Sequence, residues 1–116
     1  MRRLIARRAF GAGLGGTLAL ALLPRSAPAR NAAQEVTLHI RRFAFVPDRV
    51  LLRPGDSLRI VNEDIAPHTV TALSGAWDSG SLDRGGQAVI VFDRAGEHPF
   101  RCAWHPQMTG TVVVRP

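Results

Sequence analysis

The chain has 116 residues, a formal net charge of +6 and a single cysteine. That length gives room for one domain, and one thiol excludes an intramolecular disulfide. All of the positive charge is arginine, and its uneven placement along the chain removes the argument for a nucleic-acid binder.

The first eight residues carry four arginines, and Phe10 to Leu23 form an uncharged, largely apolar run of 14 residues. Ala27-Pro28-Ala29 then supplies small residues at the spacing a signal peptidase accepts. The run is shorter than the ~18 residues needed to span a bilayer and is rich in glycine. Residues 1–29 are therefore expected to be a cleavable export signal that leaves no membrane anchor. Arg7-Arg8 ahead of the apolar run resembles a twin-arginine signal, with Ala6 where that pattern usually has Ser or Thr. Five arginines lie in this leader; in residues 30–116 ten arginines face nine acids, about +1 by counting. The remaining basic pair, Arg41-Arg42, is too short for a nucleic-acid footprint.

The rest reads as short strands punctuated by turns, with no sustained helical period. Val36, Leu38 and Ile40 alternate with Thr37, His39 and Arg41, a half-buried strand. Val50 to Leu52 leads to Arg53-Pro54-Gly55-Asp56, whose Pro-Gly pair suits the centre of a tight turn. Leu58 to Val61 returns as a strand, and His68 to Leu73 is a further β-branched segment. A Gly- and Ser-rich loop containing Trp77 follows. Ala88, Ile90 and Phe92 share one face of the next strand, Asp93 to Gly96 turns, Glu97 to Cys102 runs into a loop, and Gly110 to Arg115 closes the chain. Six to eight strands at this spacing predict an all-β, Greek-key β-sandwich in one domain over residues 30–116.

Within that pattern Cys102, His105 and Met108 stand in the spacing C-x2-H-x2-M between two strands. A thiolate, an imidazole and a thioether on one short loop can wrap a single ion, and His68, beside Pro67 at a strand start, is placed to add a second imidazole. Two imidazoles and a thiolate with a weak thioether satisfy both Cu(I) and Cu(II) without large rearrangement. Zinc would want four firm ligands, usually with several cysteines. The competing readings are an inert strand-end thiol for Cys102 and core filler for Met108; the joint occurrence with two histidines favours the metal. Glu63 and Asp64, just before His68, read as a solvated loop, His39 as a solvated strand residue, and His98 as a packing residue.

Four segments carry a resemblance: Phe43-Ala44-Phe45-Val46-Pro47; Pro54-Gly55-Asp56; Asn62 to Val70 with Pro67-His68-Thr69; and Gly96 to Met108. Together they resemble the cupredoxins, the type 1 blue copper proteins of the plastocyanin, amicyanin and pseudoazurin kind. The resemblance implies one copper per chain, held by His68, Cys102, His105 and Met108. It also implies a copper site near one end of the sandwich, where His105 meets a docking redox donor or acceptor protein. Trp104 and Gln107 depart from the short-loop pattern, at places that shape the docking patch. Thr69 takes the place of an Asn or Ser that bonds across to the Cys loop, and its hydroxyl is expected to do the same. The expected function is periplasmic one-electron transfer by a monomer; the alternative is a copper chaperone or copper-resistance protein. With one cysteine, and only His39 and His98 beyond the ligand pair, no second copper centre is available and no enzymatic reaction is expected.

Overall fold

A computed structural model describes residues 32–116; the expected export signal lies outside the described residues. Eight strands follow in order: β1 (Glu35–Arg41), β2 (Ala44–Val46), β3 (Arg49–Leu52), β4 (Asp56–Asn62), β5 (Thr71–Ala72), β6 (Gln87–Phe92), β7 (Gly96–Arg101) and β8 (Thr109–Val114). They form two four-stranded sheets, ordered β2-β1-β4-β6 and β3-β8-β7-β5. Each sheet is mixed, with β1 parallel to β4 and β3 parallel to β8 while the other neighbours are antiparallel. The expected all-β sandwich is thus what the chain adopts. Among the described residues no helix is long and apolar enough to cross a membrane.

The alternating residues build the space between the sheets. Leu38 and Ile40 of β1 and Leu58 and Ile60 of β4 are fully buried, as are Phe100 and Val112 from the opposite sheet. Strand β4 alternates strictly between buried and half-buried positions, the period-2 pattern of a pleated strand packed on a core. Its two ends are buried polar residues, Asp56 and Asn62. Asp56 accepts the backbone N–H groups of Gln34 and Arg53. Asn62 donates to the carbonyls of Ala66 and Leu82, and so ties down the chain just before His68. The expected turn is present: Asp56 N–H donates to the Arg53 carbonyl, with Gly55 at φ +96°, a backbone region open to glycine at little cost.

Two elements differ from the sequence reading. The strand expected over His68 to Leu73 contracts to Thr71–Ala72, because its partner β7 ends at Arg101 and the chain beyond leaves the sheet. Residues 68–70 pair instead with the following loop, His68 exchanging two backbone hydrogen bonds with Leu82, and Val70 accepting one from Ser79. The second is an additional hairpin. Strand β2 folds back on β1 through the two-residue corner Arg42-Phe43, both at positive φ (50° and 57°). Such corners match the strand twist but normally recruit Asn and Gly, so an Arg-Phe pair gives no signal in the sequence.

Candidate metal centre

The four expected donors arise from two places in the fold. His68 stands between β4 and β5, fixed by its backbone pairing to Leu82. Cys102 follows β7 directly and Met108 precedes β8, so two paired strands hold the ends of the loop between them. The loop closes on itself: Cys102 N–H donates to the Met108 carbonyl (3.1 Å) and Met108 N–H to the His105 carbonyl (2.8 Å).

This places the Cys102 sulfur 3.8 Å from Nδ1 of His68 and 3.6 Å from Nδ1 of His105. All three donor atoms lie within 4.8 Å of one another. Nitrogen and sulfur donors bound at about 2.0 and 2.3 Å to one ion, roughly 120° apart, stand about 3.7 Å from each other. The measured separations fit a trigonal site for a single ion, and the soft thiolate with two imidazoles suits copper. Cys102 and His68 are fully buried, Met108 is buried in the same apolar cluster as Cys102, and His105 is half-buried.

The surroundings hold these groups in place. Thr69 N–H points at the Cys102 sulfur (3.5 Å), and the Thr69 hydroxyl oxygen accepts the Ala103 N–H (2.8 Å). That hydroxyl can then donate to Oγ1 of Thr71 (2.9 Å), which donates to the Asp78 carboxylate (3.2 Å). Hydrogen bonds so aligned polarise one another. Changing Thr69 to valine leaves the Ala103 N–H without its acceptor, at a cost of about 1 kcal/mol for a partly exposed amide. We expect a lower melting temperature and copper affinity weaker by roughly tenfold, both restored by Thr69→Ser; thermal unfolding and competitive copper titration check this.

Asp64 is the residue the sequence reading misses. Instead of lying in a solvated loop, its carboxylate is mostly buried and its Oδ2 stands 2.8 Å from Nε2 of His68. It thereby fixes the tautomer that leaves Nδ1 of His68 facing the sulfur. The same carboxylate accepts the N–H groups of Arg42 and Phe43 (2.6 and 2.9 Å). Burial pushes the Asp64 carboxyl up, but the Phe43 and Arg42 amides and the His68 ring outweigh it and hold it below the ordinary carboxylate range. The neighbouring Glu63 is also engaged, bridging His39 and Arg41. A carboxylate four residues before an expected metal donor, across a non-helical loop, has no period that would reveal it. His98 is no part of this centre; its Nε2 donates to the Arg94 carbonyl and its ring packs on Phe92.

The family model for the cupredoxin-like domain matches residues 15–114. The chain belongs to the cupredoxin-like family. It is similar to amicyanin of Paracoccus denitrificans, 28% identical over 114 residues, covering 91% of this chain and 86% of that protein. Amicyanin of Paracoccus versutus is 26% identical over 87 residues, covering 71% of this chain and 66% of that one. Pseudoazurin of Methylorubrum extorquens is 33% identical over 76 residues; the alignment spans 62% of the cupredoxin and about half (51%) of its relative. Among solved structures, the Cu(I) form of an amicyanin variant superposes with a TM-score of 0.66 at 23% identity, covering 75% of this chain and 86% of that one. The oxidized form of another amicyanin variant also gives 0.66, at 21% identity, covering 69% and 81%. At these identities the superpositions establish a shared fold.

Proposed function

We propose that this cupredoxin is a type 1 copper protein that carries one electron at a time between redox proteins, in the periplasm after export. The observation that carries the reading is the approach of both Nδ1 atoms to the buried Cys102 sulfur, at 3.8 and 3.6 Å. Copper, when bound, supplies the one-electron couple. Cys102 would hold the ion through its thiolate and His68 and His105 through their Nδ1 atoms, with the Met108 thioether as a further soft donor. The backbone bonds of the loop, the Thr69 tether and the Asp64 contact hold these groups against rearrangement, which keeps the barrier to electron transfer low. His105 alone of the three clustered donors is not fully buried. Around it in space or sequence stand exposed apolar side chains, Phe43 at 48% and Trp104 at 52% exposure, a surface suited to a docking donor or acceptor while the carrier itself works as a monomer. No substrate is transformed.

Loading the purified protein with Cu(II) is expected to take up one equivalent and develop an intense visible thiolate-to-copper band. The band should bleach on reduction and return on oxidation over many cycles. A colourless complex with Cys102 intact refutes the assignment, and a coloured protein that cannot cycle points to copper storage or delivery instead.

A further inference from the structure

Phe43 sits over the metal centre in a way the ligand set does not require. Its ring lies edge-on to both imidazoles, with centroids 4.9 Å from His68 and 5.0 Å from His105 and interplanar angles of 89° for each. The two imidazoles are themselves 5.2 Å apart, so the three rings form one closed cluster. Half of Phe43 faces solvent; the remainder covers ring surface that water would otherwise reach.

The backbone beneath it is held firmly. Phe43 and Arg42 form the two-residue corner with positive φ, a region that side-chain-bearing residues rarely occupy. Both corner amides donate to the Asp64 carboxylate, whose Oδ2 also meets Nε2 of His68. On the far side Phe45, two residues on, is buried and packs edge-on against Phe100 in the core. The corner is thus clamped from the ligand side by a carboxylate and from the core side by an aromatic anchor. A strained conformation kept by such over-determination marks a place where geometry matters.

We propose that Phe43 is a positioning residue for the metal centre, a wall that keeps the half-buried His105 ring from swinging outward and keeps small molecules from the metal. The metal part of this rests on the copper reading above; the restraint on His105 is a property of the chain itself. In the metal-free protein with isotope-labelled histidines, Phe43→Ala is expected to raise the mobility of the His105 ring in relaxation measurements, while the His68 ring, held by Asp64, stays rigid. Phe43→Tyr should keep His105 restrained. In the copper-loaded protein, Phe43→Ala should speed copper extraction by a chelator roughly tenfold and let added azide alter the visible spectrum, as the native protein and Phe43→Tyr do not. Because Phe43 is half-exposed, the variants should fold, and circular dichroism checks that they do. Unchanged His105 mobility in Phe43→Ala overturns the proposal, as does a copper extraction rate equal to that of the native protein. A native protein that takes up no copper defeats the copper reading alone, since the histidine relaxation still reports on the wall.

Discussion

Changing Cys102 to serine is expected to abolish the visible colour of the copper-loaded protein outright, because the band requires a thiolate bonded to the metal. The hydroxyl is a weak, hard donor that stays protonated, so Cu(I) in particular loses its main ligand. The fold itself should survive: serine is the smaller side chain, and Thr69 N–H, now 3.5 Å from the sulfur, is available to the new oxygen. The metal-free variant should lose only about 1 kcal/mol. The contrast appears on adding copper. A ligand present at about a thousandfold over its dissociation constant stabilises the folded state by about 4 kcal/mol, and the native protein should gain a corresponding rise in melting temperature that the variant lacks. Calorimetric melting of both proteins with and without copper measures this. Equal copper-induced shifts would mean that the ion binds elsewhere.

The second large effect lies at Gly110, where a methyl group has nowhere to go. A β-carbon there would stand 2.4 Å from Cζ and 2.7 Å from Cε1 of Phe100, and 2.9 Å from the Asp48 carbonyl oxygen. Phe100 is fully buried and packs against the rings of Phe45 and Trp77, so displacing it disturbs both contacts. Gly110 also pairs with Phe100 across β7 and β8, and the backbone cannot move away without breaking that ladder. Overpacking of this kind costs about 2–3 kcal/mol, and Gly110→Ala should lower the melting temperature by on the order of 10–20 °C for a domain of this size. A second change, Phe100→Leu, should recover part of the loss in the double variant while being destabilising alone. Melting curves of the four proteins test that non-additivity; additive losses would place the strain somewhere other than the Gly110–Phe100 contact.

Much of the sandwich is legible in single residues. The alternation of Val36, Leu38 and Ile40 marks β1, Pro54-Gly55 marks the turn into β4, and Ala88, Ile90 and Phe92 mark the inward face of β6, because local period and turn chemistry suffice there. The C-x2-H-x2-M loop is legible for the same reason, its donors being close in sequence. What escapes is set by distant partners. The segment after His68 has β-branched residues but pairs as a sheet strand only at Thr71 and Ala72, since the strand it would follow turns away to form the ligand loop. The Arg42-Phe43 corner lacks Asn and Gly, and it is made tenable by a carboxylate about twenty residues on. Asp64 itself looks like any polar loop residue until the fold closes His68 and the corner around it.

The two parallel pairings, β1 with β4 and β3 with β8, bring a consequence for when copper can be taken up. Neither pair can zip from a local hairpin; each needs a long excursion of chain to return, and contacts of that kind form slowly, after their loop-closure entropy has been met. His68 meets Cys102 across such distances, so a growing or unfolded polypeptide offers an ion only the three donors of one short loop. All four side chains come together once both sheets have docked, so the finished molecule should hold an ion more tightly than its precursors do.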